Sequence, residues 1–190
     1  MSYYVDPTDV TKYDRTEAEL ELYLLFCIVV AGKTAITQAK ALERFLLSLP
    51  EAESPFDRIA LCGYHSQRFY DLVEQSRLGQ YKKIAKAFQE SVQTLRYSLS
   101  TCSLHDLMQV HGIGPKTARF FLIHTRRDQK HAALDTHIMH YLRDQGITKE
   151  KGTPGKSYGY LEEKFLELVT ASGKTVAEMD LEIWRQYSGN

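Results

Sequence analysis

The chain has 190 residues, with 24 Lys and Arg against 24 Asp and Glu, so its formal net charge is zero. Hydrophobic residues make up 43% and charged residues 25%, which is typical of a folded globular protein and excludes a disordered chain. The longest apolar run, Leu22 to Ala31, is about half of what a bilayer crossing needs, which excludes a membrane-spanning chain. The first residues show no basic and apolar leader, so we expect no signal peptide.

The charges are unevenly distributed along the chain. Residues 1–57 hold 5 Lys and Arg against 10 Asp and Glu, whereas residues 58–131 hold 12 against 5 and residues 132–190 hold 7 against 9. A basic middle region can bind a polyanion although the whole chain is neutral. Chance fluctuation is the alternative that charge counting by itself leaves open.

Apolar residues at helical spacing predict helices throughout, and no stretch alternates as a strand does. In chain order the predicted helices cover 17–30, 34–49, 55–63, 65–75, 80–95, 103–110, 116–123, 135–145, 160–171 and 175–187. Between the helices at 135–145 and 160–171, the polar stretch 147–158 contains two glycines and a proline and is the clearest loop. The sequence therefore predicts an all-α protein.

The sequence HGIGPK at residues 111–116 predicts a tight hairpin between two helices. Gly112 and Gly114 permit backbone conformations that other residues avoid, and Pro115 suits the first turn of the next helix. Open N–H groups at the start of that helix can bind a phosphate without reading a base. Taken alone, the motif is more typical of an ordinary helical corner with solvated basic residues.

The hairpin and a later segment together resemble the helix-hairpin-helix (HhH-GPD) DNA glycosylases, the superfamily of endonuclease III and 8-oxoguanine glycosylase. GIGPKTA (112–118) is similar to the family's hairpin, and LDTHI (134–138) to its Val/Leu-Asp-x-His-Ile segment at a similar distance. Weaker likeness runs upstream, in IALCGYHSQR (59–68) and LLFCIVVAGKTA (24–35).

The resemblance implies a two-lobed helical fold with the active-site cleft between the lobes. Residues 1–190 would form a single catalytic unit. Residues 30–133 would be the helical barrel lobe that carries the hairpin, and residues 1–29 with 134–190 the second lobe.

The resemblance also implies a catalytic pair, Lys116 and Asp135, nineteen positions apart. In family members with this lysine, the amine attacks C1′ of the nucleotide, forms a Schiff base and cleaves the strand by β-elimination. The implied activity is a bifunctional DNA glycosylase and AP lyase, with Asp135 stabilising positive charge and shuttling a proton. Lys116 as a plain phosphate-binding lysine and Asp135 as a helix N-cap are the structural alternatives.

The family pattern further implies residues that contact DNA. The expected backbone contacts are Gly112, Ile113, Gly114, Thr117, Arg119 and His137. The residues expected to fill the gap left by the extruded base are Lys33, Tyr64 and His65. Tyr64 as a half-buried core side chain is the alternative for that position.

The chain departs from endonuclease III relatives because no cysteine follows Cys102, so their four-cysteine iron–sulfur cluster cannot form. We therefore expect no cofactor. Among family members, the chain is expected to be more similar to the 8-oxoguanine enzymes that lack the cluster. His137 and His140 have no acidic or cysteine partner at metal-ligand spacing, so no metal site is expected. The resemblance allows only a monovalent cation bound by the carbonyls of residues 111–114.

The expected partner is double-stranded DNA that contains a damaged or modified base, bound by a monomeric, cytoplasmic, nucleoid-associated enzyme with no membrane contact. One alternative is an enzyme on the same scaffold that acts on hypermodified bases, for example viral ones. Another is a non-catalytic module that binds DNA through its hairpin. A third is a helical interaction domain whose match is incidental.

Overall fold

The structure, a computed structural model, describes residues 3–127 and 129–187 and confirms the predicted all-α class. Ten helices follow one another across the described residues. They are α1 (Glu17–Val30), α2 (Ala35–Ser48), α3 (Pro55–Cys62), α4 (Gln67–Gln75), α5 (Tyr81–Leu95), α6 (Leu104–Gln109), α7 (Pro115–Thr125), α8 (Thr136–Asp144), α9 (Tyr158–Ser172) and α10 (Val176–Tyr187).

Local capping chemistry determines where several helices begin. Thr16 starts α1 with a capping box, in which its hydroxyl accepts from the backbone N–H of Glu19 and the Glu19 carboxylate accepts from the Thr16 N–H. Ser103 and Asp106 form the same reciprocal pair at the start of α6. Such caps satisfy N–H groups that the helix itself leaves unpaired, so these boundaries are written into the sequence.

The buried apolar residues form two clusters. Helices α1 to α7 build the first, in which α1 is buried on almost every side because α2, α3, α5 and α7 surround it. Helices α8, α9 and α10 build the second, together with Ile123 from the end of α7. Phe120 packs against both clusters, so α7 is where they meet.

The two apolar clusters can be compared with the two predicted lobes. Helices α8 to α10 belong to the predicted second lobe and share one cluster. Helix α1, which lies almost wholly within residues 1–29, contributes its apolar side chains to the first cluster. The assignment of whole segments to lobes stays a prediction.

Within residues 3–127 and 129–187, no helix combines the length and apolar character that crossing a membrane requires.

Candidate active site

The predicted hairpin lies between α6 and α7. Helix α6 ends at Gln109, and the backbone N–H of Ile113 donates to the carbonyl of Val110 at 3.1 Å, which closes the turn. Gly112 has φ +82°, a left-handed conformation that favours glycine. Gly114 is the N-cap of α7, and Pro115 occupies the first turn, as predicted.

The amino end of α7 is open to an anion. Gly114 has no side chain with which to cap it, so the first-turn N–H groups receive no side-chain acceptor. The hairpin is fixed from its other side, since the backbone N–H of His111 donates to the Glu90 carboxylate of α5 at 2.6 Å. A rigid turn with free donors at a positive helix end can bind a phosphate.

Lys116 projects from this first turn of α7. Its ammonium lies 6.0 Å from the centroid of the Phe120 ring, one helical turn later. Its side chain is 34% exposed, so the amine is partly shielded but reachable.

Asp135 faces Lys116 across the site. It is the N-cap of α8, and its Oδ1 accepts from the backbone N–H groups of His137 and Ile138, both at 2.9 Å. Its Oδ2 lies 3.9 Å from Lys116 Nζ. The capping and the functional interpretations are therefore compatible, because each uses a different oxygen of the same rigid carboxylate.

The protonation of Asp135 reflects opposing influences. Burial raises the pKa of its carboxyl group, and the charge of Asp180 raises it further, whereas the ammonium of Lys116 and the hydrogen bonds of the cap lower it. Together, these influences raise the pKa of Asp135 above the ordinary aspartate value. A carboxyl group with a raised pKa beside an amine can exchange a proton with it more readily than an ordinary aspartate.

Lys116 and Asp135 line one cavity of about 740 Å³. That volume lies within the range of about 300–1,000 Å³ usual for small-molecule sites. Aromatic side chains from four positions also line it: Phe26, Phe120, Trp184 and Tyr187. Such a cavity suits a flat, partly apolar ring system.

Cys27 also presents a nucleophilic group at this cavity. Burial raises the pKa of its thiol to about 12, so the thiol stays protonated near neutral pH. Since the thiolate is the reactive form, Cys27 does not compete with Lys116 as a nucleophile.

Sequence reasoning missed a carboxylate at the cavity, Asp180 of α10. Its Oδ2 lies 3.3 Å from Nε2 of His124, a fully buried residue of α7. The other ring nitrogen of His124 lies 2.7 Å from the hydroxyl of Thr11. This chain of contacts joins the amino-terminal segment, α7 and α10, and no spacing in the sequence signals it.

The predicted DNA contacts outside the hairpin separate into two groups. Thr117 and His137 line the cavity beside Lys116 and Asp135. Arg119 instead donates to both carboxylate oxygens of Glu162, at 2.7 and 3.1 Å, and stacks over the Tyr158 ring. Contact of Arg119 with DNA stays a prediction, and it would require this ion pair between α7 and α9 to open.

The three predicted gap-filling residues lie in different places. Lys33 lines the cavity with Lys116, and its ammonium donates to the carbonyl of Leu78 at 2.6 Å. Tyr64 and His65 lie in the turn between α3 and α4, outside the cavity lining. Tyr64 is half-buried, whereas His65 is exposed with its ring 4.6 Å from that of Tyr64. The loop 147–158 adds nothing to the cavity lining.

The hairpin carbonyls also bear on the predicted cation. The carbonyl of Gly114, which the prediction includes, accepts from the backbone N–H of Ala118 at 3.0 Å. Among the described residues, no donor reaches the carbonyls of residues 111–113. Free carbonyl oxygens fit a hard monovalent cation, so the residues are compatible with one. No group of three His, Cys, Asp or Glu side chains in the described part of the chain is arranged to hold a metal ion.

Comparison with known proteins gives two matches. Residues 7–174 match the family model Ogg-HhH, described as 8-oxoguanine DNA glycosylase. The fold matches the crystal structure of Tm1821, the 8-oxoguanine DNA glycosylase of Thermotoga maritima, with a TM-score of 0.66 and 22% identity. That alignment covers 93% of this chain and 83% of the other.

Proposed function

The chain belongs to the Ogg-HhH family of 8-oxoguanine DNA glycosylases, and on that premise we propose that it removes 8-oxoguanine from duplex DNA and then cleaves the strand. A glycosylase moves the target base out of the stack before it breaks the bond to the sugar. The cavity beside Lys116 and Asp135 is the proposed receptor for that base.

The observation that carries the proposal is the approach of Lys116 Nζ to Asp135 Oδ2, 3.9 Å apart at the edge of one cavity. An amine needs a free electron pair to attack, so Lys116 must first lose a proton. Asp135 is the nearby acceptor, and burial raises the pKa of its carboxyl group. Lys116 therefore takes the role of nucleophile and Asp135 that of proton shuttle.

The chemistry proceeds at C1′ of the extruded nucleotide. The amine of Lys116 forms a bond to C1′ while the bond to the base breaks, and the base leaves with the bonding electrons and takes up the proton that Asp135 received from Lys116. A proton then moves from the lysine nitrogen to O4′ as the sugar ring opens, which leaves a protonated Schiff base on the lysine. Loss of a proton from C2′ expels the 3′ phosphate and cleaves the strand. Asp135 stabilises the positive charge that develops on the sugar.

We also propose that the hairpin holds the phosphate backbone. The N–H groups of Gly112 and Gly114 and the open end of α7 are the proposed donors, and Ile113, whose own N–H donates to Val110, holds the turn between them. Thr117 and His137 at the cavity are proposed to extend this contact. Contacts of this kind position the strand without reading its sequence.

The turn that carries Tyr64 and His65 is proposed to fill the space left by the base. A side chain that replaces a base in the stack recovers part of the lost stacking energy. His65 is the exposed member of the pair and Tyr64 supports it from the core.

Borohydride trapping on a duplex with one 8-oxoguanine opposite cytosine tests this proposal. Wild-type protein should form a covalent complex with the DNA and cleave the strand. Lys116→Gln should form no complex, whereas the control Lys130→Gln, an exposed lysine outside the cavity lining, should behave as wild type. If Lys116→Gln forms as much covalent complex as wild type, Lys116 is not the nucleophile. If wild type binds the DNA but forms no product, the non-catalytic alternative is favoured.

A further inference from the structure

Helix α5 begins with three exposed lysines, Lys82, Lys83 and Lys86. Lys86 lies 3.8 Å from the carboxylate of Glu90. Across residues 3–127 and 129–187, no carboxylate pairs with Lys82 or Lys83. The start of α5 is therefore positively charged and only partly neutralised by the protein itself.

Lys83 lies directly against the hairpin. A methyl group placed on Gly112 would come within 3.3 Å of Lys83 Cε and 3.8 Å of Ala87 Cβ. Two turns after Lys83 along α5, Glu90 accepts from the backbone N–H of His111. Two contacts thus fix α5 against the hairpin, and they hold the stem of Lys83 beside the turn.

A second lysine, Lys33, reaches the turn before α5 from the side of the cavity. Lys33, which lines the cavity, approaches the turn before α5, where its Nζ donates to Leu78 and would lie 3.5 Å from a methyl group on Gly79. Burial lowers the pKa of Lys33, and the charge of Lys83 lowers it further. An anion bound beside this end of α5 would be attracted by both ammonium groups.

We propose that Lys83, together with Lys33 and the hairpin, binds a backbone phosphate of the DNA. The phosphate would lie on the surface between the hairpin and the cavity. This rests on the proposed binding of the backbone by the hairpin and adds a residue that the family motifs do not include. The phosphate belongs to the strand that carries the extruded nucleotide, because Lys33 borders the cavity that receives its base.

Such a contact affects binding and not the chemical step. Lys83 is not among the residues that line the cavity, so it touches neither the base nor C1′. Each lysine–phosphate contact releases about one counterion, so its loss weakens binding more at low salt than at high salt.

Lys82 provides a matched control. It lies next to Lys83 on the same helix, is also exposed and lacks an acidic partner among the described residues, but it lines the groove between α4 and α5 with Glu74. The probe is a duplex with a tetrahydrofuran abasic-site analogue, which binds without reacting. Its affinity is measured by fluorescence anisotropy over a range of KCl concentrations.

We expect Lys83→Gln to lower the slope of log affinity against log salt by about one and to weaken binding roughly tenfold at 0.1 M salt. Lys83→Arg should keep the wild-type slope. Lys82→Gln should change the slope by less than half of the change expected for Lys83→Gln. Two results would overturn the phosphate contact. One is the same salt slope and affinity in Lys83→Gln and Lys82→Gln, and the other is a slope in Lys83→Arg that is lowered as much as in Lys83→Gln.

Trapping with borohydride separates this inference from the proposed reaction. At saturating protein, Lys83→Gln should trap 8-oxoguanine DNA at the wild-type rate, because its catalytic pair is intact. If wild type does not trap at all, the Lys116 chemistry fails while the anisotropy measurement still decides the role of Lys83. A slower single-turnover rate for Lys83→Gln at saturation would contradict a role confined to binding.

Discussion

The two carboxylate oxygens of Asp135 are available for two different tasks, the capping of α8 and the proposed chemistry. Oδ1 caps α8 through two backbone N–H groups, and Oδ2 faces Lys116. Burial raises the pKa of this carboxyl group, so the folded state binds the proton more tightly than the unfolded state does. The stability that this proton contributes is present below the ordinary aspartate pKa and is lost as the pH rises through the folded-state pKa.

Replacing Asp135 with asparagine should separate the two tasks. Asparagine caps helices about as well as aspartate, so we expect α8 to stay intact. Base excision should slow by at least about 10²-fold, because charge stabilisation in the transition state is lost. Single-turnover assays on 8-oxoguanine DNA measure this effect.

The same variant tests the direction of the pKa shift. The melting temperature of Asp135→Asn relative to wild type should rise as the pH increases from below 3.8, the ordinary aspartate value. Thermal melts over a series of pH values measure the difference. A difference that falls with increasing pH would mean that the folded-state pKa is lowered instead.

At the scale of elements, the hairpin depends on one backbone position more than on its neighbour. Gly112 has φ +82° and lies against Lys83, whereas Gly114 has φ −88° and open space where a side chain would project. Only the first position is restricted to glycine by conformation.

Alanine substitutions at the two glycines should therefore differ. Gly112→Ala should destabilise the protein by about 1–2 kcal/mol, the usual energy of a left-handed non-glycine residue. Gly114→Ala should change stability by no more than about 0.5 kcal/mol. Urea denaturation compares them, and equal effects would mean that the turn does not hold the conformation described.

The helices themselves follow closely from local sequence. The prediction for α1 coincides with Glu17–Val30, and α9 begins at Tyr158, two residues before its predicted start. Capping residues and apolar spacing involve residues only one or two helical turns apart. They can therefore be identified from a single sequence. The pairing of Lys116 with Asp135 could be expected only because the hairpin and the later aspartate occur together.

The rest of the cavity could not be predicted. Trp184 and Asp180 come from α10, 68 and 64 positions after Lys116, and Val10 comes from a segment without regular structure. Periodicity identifies the buried face of a helix but not the element that it meets. The sequence predicts Lys33 as a gap-filling residue, whereas its contact with the turn before α5 depends on how α5 packs.

At the scale of the whole molecule, one buried contact joins three separate segments. His124 lies between Thr11 and Asp180, and its carbonyl accepts from the backbone N–H of Lys12 and from Arg15. This arrangement ties the amino-terminal segment and α10 to α7, the helix that carries Lys116.

Removing the Asp180 carboxylate should loosen this arrangement. Asp180→Ala leaves a fully buried His124 without its acidic partner, so we expect a loss of about 1–3 kcal/mol of unfolding free energy. Asp180→Asn keeps a hydrogen-bonding group and should lose less. Asp9→Ala, at an exposed position, is the control for urea denaturation and should stay within about 0.5 kcal/mol of wild type. Equal stability of Asp180→Ala and Asp9→Ala would exclude a structural role for the contact.

Locating the covalent bond in the trapped complex tests the central claim most directly. After borohydride reduction on 8-oxoguanine DNA and digestion of both protein and DNA, peptide mass spectrometry identifies the lysine that carries the sugar remnant. We predict the adduct on Lys116 alone. An adduct on Lys33 or another lysine, with Lys116 unmodified, would contradict the catalytic pair on which this account is built.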